Sequence, residues 1–428
     1  MRALALIDGE HYPPVVRDAL LALPYEFVCC VNVGGGEKLQ AGAEQGESVY
    51  GAPVAGSIEQ ALEIYSPEIV VDLSDEPVLG PRERLATASR VLALGLPYAG
   101  ADFRLDPPPL EPFALPSLSV IGTGKRVGKT ALAIQLARAC AKRFEVVVVA
   151  MGRGGPPEPE LRETPPSVEE LLELARSGRH AASDYLEDAA LGEIVSVGAR
   201  RCGGGLAGAV GYSNVTEAAE LALERNPDLV IFEGSGAALP PIATDRRVLV
   251  MSAHQDVELA CGYLNTYRIL VSDLVVLSFA EPGERLDRLR EALASLRPEL
   301  PVIATAMHPR PLVPVQGRRI ALFTTAPKAA LPSLAAQFER EHGAKVVHVS
   351  GSLARREELR SELERIDAEL FLVELKAAAV DVVIEEASAR GCEVALVDNE
   401  LIPLAGEADL ERALLVLAEQ ARVKEPVG

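Results

Sequence analysis

Along the chain, short unbroken runs of β-branched and other apolar residues alternate with longer stretches whose apolar positions recur every three or four residues. A run with no polar face predicts a strand covered on both sides, and the longer period predicts amphipathic helices. The alternation therefore reads as βαβ units built on parallel sheets. Near the N-terminus the strand runs are ALALI, FVCCVNV and EIVVDLS, with helices predicted over Pro13–Leu23, Ser57–Tyr65 and Pro81–Leu94. RLDPPPLEPFALP then interrupts the pattern with three consecutive prolines, Pro107–Pro109. Proline removes backbone donors and holds its predecessor extended, so this stretch predicts a linker.

Beyond it, LSVIG, EVVVVAM, DLVIFEG, RVLVMSA, DLVVLSF and PVIATAM continue the strand series. A second Pro-rich stretch, HPRPLVPVQG (His308–Gly317), precedes RIALFTT, KVVHVS, ELFLVEL, DVVIEEA and EVALVDN, all read as strands. The charged stretch Ser352–Arg365 predicts a helix with a solvated face. No internal repeat is evident.

The chain has 428 residues, and roughly 150 residues per domain gives about three domains. Its 48% hydrophobic and 24% charged residues suffice for real cores. No apolar run approaches the roughly 20 residues that cross a bilayer. The opening MRALALIDGEHYPP has one Arg and an apolar stretch cut off by Asp8 and Glu10, which predicts a buried first strand rather than a signal peptide. A membrane-spanning, secreted or fibrous protein is excluded on this reading. A net charge of −20 argues against nucleic acid as a partner, because that surface needs a basic footprint. The six cysteines form no C-x-x-C pair, so neither a zinc site nor a disulfide framework is expected, and a reducing cytoplasm fits. Cys29 and Cys30, adjacent in an apolar run, read as small buried hydrophobes.

The most specific signal is I-G-T-G-K-R-V-G-K-T-A at Ile121–Ala131, between a strand and a helix. Gly122, Gly124 and Gly128 let backbone N–H groups of the loop, through Thr123, Lys125, Arg126 and Val127, turn inward around a phosphate. Lys129 brings a point charge to the β- and γ-phosphates of ATP, Thr130 a hydroxyl for Mg²⁺, and the helix behind them its dipole. Where the strict phosphate-loop pattern has its first Gly stands Thr123, so the loop is one residue longer. Glu233, ending the run DLVIFE ahead of flexible glycines, is the candidate acidic ligand for Mg²⁺.

The acidic chain also concentrates cations in Gly- or Pro-rich turns: Lys125, Arg126 and Lys129, then Arg153 (MGRGG), Arg200 and Arg201 (GARRCGGG), Arg246 and Arg247 (TDRR), and Arg310 (HPRP). Guanidinium forks match phosphate oxygens in pairs, and glycine lets backbone approach a ligand closely. Clustered at strand ends of one sheet, they predict a pocket for phosphates beyond those of the nucleotide. Arg153 and Lys125 are the strongest catalytic candidates beside Lys129; His254 and Asp256 are weaker ones. Asp8, Glu10 and His11 follow the first strand, at the end where ligands bind, and a turn-forming role for Asp8 is the competing account.

The expected fold is therefore α/β and multidomain, a parallel-sheet P-loop NTPase core flanked by Rossmann-like α/β domains. The expected boundaries are 1–106 for the N-terminal domain, 107–116 for the linker, 117–310 for the P-loop domain and 311–428 for the C-terminal domain. The long loop together with E-G-x-G…P resembles dethiobiotin synthetase and its relatives. The wider set, I-D-G-E-H-Y-P-P (Ile7–Pro14), G-T-G-K-R-V-G-K-T, M-G-R-G-G-P (Met151–Pro156) and S-A-H-Q-D (Ser252–Asp256), resembles the cyclic 2,3-diphosphoglycerate synthetase family over nearly the whole chain. That resemblance implies ATP-dependent ring closure of 2,3-diphosphoglycerate, a homodimer, and K⁺ as a further cofactor. It also implies contact of Glu10 and His11 with the phosphoglycerate, and Arg153, Arg200, Arg201, Arg246, Arg247 and His254 complete the candidate substrate set. A further Asp metal ligand of the dethiobiotin synthetase type has no evident equivalent in the sequence. Two alternatives stay open: a kinase or ligase acting on a carboxylate, and a nucleotide-dependent switch or maturation factor.

Overall fold

The structure is a computed structural model that describes residues 1–35, 49–377 and 379–423. The chain forms two compact units, one of Met1–Pro108, Gln255–Val271 and Arg288–Glu299, the other of Pro109–His254, Ser272–Asp287 and Leu300–Gly428. Among the described residues no helix is long and apolar enough to cross a membrane.

The first unit is built on a sheet of β1 (Arg2–Ile7), β2 (Glu26–Asn32), β3 (Val54–Ala55), β4 (Ile69–Asp72), β5 (Tyr98–Ala99) and β6 (Arg104–Leu105). Their spatial order is β3-β2-β1-β4-β5-β6, parallel except for the last pair. Leu4 and Leu6 of β1 pack with Ala88 and Val91 on one face, while Ala5 and Ile7 pack with Val16 and Leu20 on the other. Burial on both faces is why β1 carries no polar alternation. Helices α1 (Pro13–Ala22), α2 (Ile58–Tyr65) and α3 (Pro81–Ala93) fall where the period places them. Proline starts α1 and α3, where its missing N–H costs nothing, and the Ser57 hydroxyl accepts from Gln60 N at 3.1 Å to cap α2. Burial pushes the Cys29 thiol up to about 11 and that of Cys30 to about 12, as for packed hydrophobes.

In the second unit the strands are β7 (Glu111–Pro112), β8 (Ser117–Gly122), β9 (Val146–Gly152), β10 (Glu160–Arg162), β11 (Val195–Cys202), β12 (Tyr212–Ser213), β13 (Leu229–Glu233), β14 (Ile242–Ala243), β15 (Arg246–Ser252), β16 (Leu274–Ser278), β17 (Val302–Pro311), β18 (Arg319–Phe323), β19 (Lys345–Ser350), β20 (Leu370–Val373) and β21 (Glu393–Pro403). The large sheet runs β10-β11-β9-β13-β8-β15-β16-β17-β21-β20-β18-β19. From β11 to β17 every pairing is parallel, and β18 to β21 are parallel among themselves but antiparallel to β17. Helices α4 (Lys129–Ala141), α5 (Val168–Arg176) and α6 (Asp184–Gly192) cover the sheet beside the nucleotide-loop edge. The core of this unit threads Leu118, Val120, Val148, Ile231 and Val250 of the central strands against Leu132 and Leu136 of α4.

The second Pro-rich stretch carries a strand: β17 runs through Pro309 and Pro311 and pairs with β21. Leu312 N donates to Leu396 O, so by the two-residue period Pro309 and Pro311 have their missing donors on the side away from β21. DVVIEEA, read as a strand, is helical, with a π-helical turn over Ala379–Ile384 leading into Glu385–Arg390. A short apolar run buried all round has no periodicity to separate strand from helix, and here the segment packs on α5 and α6. The charged helix spans Arg356–Leu363 and buries Leu359 and Leu363 beneath its solvated face. Within the Pro-rich linker, β7 pairs with β14 and Phe113 meets Phe232 edge-on at 5.0 Å.

Candidate active site

The loop between β8 and α4 begins where the backbone must pass a side chain. Lys129 folds back over Gly122, where a Cβ would come within 2.9 Å of Lys129 Cδ. The loop turns through left-handed backbone at Arg126 (φ 62°) and Gly128 (φ 90°), which is the N-cap of α4. Glycine takes that conformation without a Cβ penalty. Thr123 N donates to Val250 O at 3.2 Å and Ser278 Oγ to Val127 O at 2.7 Å, pinning the loop to the neighbouring strands. Lys129 Nζ donates to Gly124 O at 2.8 Å, bending the loop into a closed cradle, and Lys125 and Arg126 stand exposed.

Parallel pairing brings several strand ends to this one edge. In register, Gly122 lies beside Val250, Glu233 beside Val120 and Ala150, and Arg200 beside Gly152. Thr130 Oγ1 donates to Glu233 Oε1 at 2.6 Å, while Glu233 Oε2 is buried without a partner. Burial, reinforced by the Asp184 carboxylate, pushes Glu233 up to about 8. Burial likewise pushes the Lys129 amine down to about 8, against the pull of Glu233 and Asp184. Each is the response of a charge held in a dry site whose ionic ligands supply the missing compensation.

Arg153 and Arg201 converge on the E-G-S-G turn, because a Cβ on Gly236 would lie 2.6 Å from Arg153 Nη2 and 3.3 Å from Arg201 Nη2. Gly236 itself adopts φ 62°. Arg201 donates to Ser235 O at 2.6 Å and Gly203 O at 2.7 Å; burial, then the nearby Arg153, lowers its pKa. Two guanidinium groups held side by side form a place for an anion. Arg200 sits with its guanidinium 5.9 Å from the Tyr212 ring centroid. His254, past the end of β15, is exposed and stacks on Phe279 at 5.9 Å.

The other cations divide differently. Arg246 and Arg247 open β15, in register with Leu118 and Ser119 at the start of β8. They stand at the opposite end of the sheet from the phosphate loop, which corrects their expected place in the substrate pocket. The turn T-D-R-R precedes its strand, and only turns that follow a parallel strand reach the ligand edge. Arg310 is engaged by Asp398 at 3.2 Å and Glu400 at 3.0 Å. Asp256 caps a short helix, accepting from Glu258 N at 3.0 Å and Leu259 N at 3.2 Å. In the first unit Asp8 Oδ1 accepts from Glu10 N (3.0 Å), His11 N (3.1 Å) and His11 Nδ1 (2.7 Å), and Oδ2 from Asp75 N (2.7 Å). That is the turn-forming role, and it presents Glu10 and His11 from a fixed loop after β1.

Sequence reasoning missed Asp184, Glu187, Asp188 and Lys376. The three acids lie at i, i+3 and i+4 on α6, with Glu187 and Asp188 buried. Both Asp188 oxygens are buried without a partner, and burial, with Glu233, Glu187 and Asp184 nearby, raises its pKa well above the usual carboxylate value. Lys376 donates to Glu187. The signal was available in D-Y-L-E-D, where two of the acids stand next to Leu186 and Ala189 of a buried helix face.

The orphaned oxygens of Glu233 and Asp188, with the Thr130 hydroxyl, are hard ligands that suit Mg²⁺. Among the described residues no group of three or more His, Cys, Asp or Glu could hold a metal ion alone. Such a site fits a cation held in part by nucleotide phosphates, the usual habit of Mg²⁺.

A glycine-rich loop between a central parallel strand and its helix, a buried lysine and threonine at the helix start and an acid on the adjacent strand define a P-loop NTPase. Family models for cyclic 2,3-diphosphoglycerate synthetase match in succession along the chain: its N-terminal domain at residues 2–106, its P-loop domain at 117–306 and its C-terminal domain at 311–400. The chain belongs to the cyclic 2,3-diphosphoglycerate synthetase family. It is 48% identical over 437 residues to the synthetase of that name from Rubrobacter xylanophilus, covering 98% of each chain. It is 43% identical over 430 residues to that from Thermococcus onnurineus, covering 97% of this chain and 98% of the relative. The Methanothermus fervidus synthetase is 38% identical over 449 residues, covering 98% of this chain and 97% of the relative.

Proposed function

We propose that this chain closes 2,3-diphosphoglycerate into cyclic 2,3-diphosphoglycerate at the expense of ATP, releasing ADP and inorganic phosphate. The observation that carries the reading is the pairing of two anion sites on one sheet edge. One is the cradle of Lys129 and Thr130 with Glu233, and the other is the Arg153–Arg201 pair at Gly236. An oxygen of one substrate phosphate attacks the γ-phosphorus in line, and the β–γ bridging oxygen leaves with ADP. An oxygen of the neighbouring phosphate then attacks the phosphorus so activated, closing the P–O–P ring and expelling inorganic phosphate. Both attacking groups are anions approaching anions, so neutralising charge is the main task, and no general base is needed for oxygens already ionised near neutral pH. Lys129 serves the β- and γ-oxygens, Arg153 and Arg201 bind the substrate phosphates, and Lys125 bridges donor and acceptor from inside the loop. Thr130, Glu233 and Asp188 are the residues that would hold magnesium, which would supply positive charge to the nucleotide phosphates. Fixing both phosphates in one pocket makes the second step intramolecular, worth on the order of 7–11 kcal/mol. Arg200 and His254 belong to the same reading as substrate contacts, as do potassium activation and a homodimer, which rest on the family resemblance.

The test is phosphate release from Mg-ATP with and without 2,3-diphosphoglycerate, with phosphorus NMR on the product, repeated in Na⁺ and K⁺ buffers. Stimulated release with a new cyclic pyrophosphate signal is the expected result. Unstimulated release would leave nucleotide binding standing and sink the substrate, sending the search to carboxylate acceptors.

A further inference from the structure

The loop after β20 brings a cation to the nucleotide edge from the far side of the sheet. β17 extends past the end of β16, and β21 pairs antiparallel with that extension. Because β20 runs parallel to β21, its carboxyl end points back toward the carboxyl ends of β8 and β13. Two sets of strand ends thus face one another, and each is the end at which α/β sheets bind ligands. Lys376 stands three residues after β20, and the loop is fastened on both sides of it. Leu375 is fully buried against Leu171, Leu172, Tyr185 and Leu186 of α5 and α6, and Ala379 N donates to Lys376 O at 2.9 Å.

The Lys376 ammonium is paired with Glu187 of α6, yet the two partners are unequally covered, at 33% exposure for the lysine and 7% for the acid. An ion pair made only for the core would hide both members; here about a third of the lysine side chain stays uncovered. Burial acts to lower its pKa, but Glu187, Asp184 and Glu233 outweigh burial and raise it. It also lies close enough to Lys129 to lower that residue's pKa. Glu187 takes one of three N–H donors, which leaves two for a ligand's oxygens.

We propose that Lys376 is a catalytic residue that binds the accepting phosphate of the substrate, facing Lys129 across the transferred phosphoryl group. This rests on the ring-closing reading above and adds a substrate contact from the C-terminal part of the chain. In-line transfer requires attacking and leaving oxygens on opposite sides of the γ-phosphorus. The phosphate loop and Lys129 hold the leaving side, so the acceptor enters from the side that the loop after β20 occupies. There Lys376 offsets the repulsion between two phosphates, with Glu187 fixing its direction.

The test uses the full chain and follows phosphate release against 2,3-diphosphoglycerate, Mg-ADP affinity by calorimetry and melting temperature. Lys376→Met should lower kcat/KM for 2,3-diphosphoglycerate by about 10²-fold or more, as for loss of one transition-state donor, with Mg-ADP affinity within about twofold. Lys376→Arg keeps the charge with a different shape and should recover part of that loss. Glu187→Gln, which retains the amine, should raise KM for 2,3-diphosphoglycerate at an unchanged Mg-ADP affinity. Equal weakening of nucleotide and substrate by Lys376→Met, or no weakening of either, would overturn the assignment. If Lys376→Met does not fold, Lys376→Arg and Glu187→Gln carry the same split, and its absence there overturns the assignment equally. A wild-type chain that forms no cyclic product would sink the ring-closing reading itself, and this one with it.

Discussion

Each unit places a turn at the carboxyl end of a buried central strand, β1 in one and β8 in the other, and the two turns treat their polar groups in opposite ways. After β1, both Asp8 oxygens are saturated by three backbone N–H groups and the His11 ring. After β8, the neighbouring acids remain incomplete: Glu233 keeps one oxygen and Asp188 both oxygens buried without a partner. A satisfied turn stabilises the fold in every state of the protein. An unsatisfied one weakens the empty protein and regains the deficit when ions and phosphates bind. The same topology therefore yields a scaffold in one place and a binding centre in the other, and side chains decide which.

The sharpest way to break the comparison is at the two turns themselves. Lys129→Ala should reduce phosphoryl transfer by about 10³-fold or more while the melting temperature stays within a few degrees, since the residue serves the ligand rather than the fold. Near-normal turnover in a steady-state assay would remove the loop from the active centre. Asp8→Ala should show the reverse, a loss of about 1–3 kcal/mol in denaturant unfolding because buried donors lose their acceptor. Burial raises the Asp8 pKa, but its hydrogen bonds from His11 and Asp75 outweigh this and hold it below 3.8. Its stabilisation is thus fully present above pH 3.8 and fades as pH falls through the lower folded value, so the two chains should converge only in acid.

A smaller effect sharpens the contrast in electrostatics. Glu233, at about 8 in the folded chain against 4.5 ordinarily, binds its proton more tightly when folded. The ligand-free protein therefore loses stability as pH rises from 4.5 toward 8, and Glu233→Gln should flatten that decline in melting temperature. A variant with an unchanged slope would show that Glu233 is not strained in the empty site. Smallest of all, Arg246→Ala should change KM for 2,3-diphosphoglycerate by less than about twofold, because it sits at the other end of the sheet. A large effect there would break the division between the two sheet edges.

What could be read along the chain was contiguous in it. The phosphate loop and the acid ending β13 are each encoded within about ten neighbouring residues, and the βαβ alternation in successive runs along the chain, where local backbone chemistry sets the meaning. Strand runs were legible because burial on both faces erases polar positions, and the same erasure made Asp381–Ala387 pass for a strand when packing on α5 and α6 holds it as a helix. Arg201 and Arg246 look alike in sequence; one closes a strand and the other opens one, and parallel pairing alone sends them to opposite edges. Asp188 and Lys376 were silent for the corresponding reason. Their significance is a distance across the chain, set when a helix between two strands and a loop after a reversed strand meet at the end of β8. Local composition determined that this protein binds nucleotide phosphates and folds as parallel α/β units. Which charges gather around those phosphates was decided by strand order and direction, because electrostatic interaction depends on separation in space and not on separation in sequence.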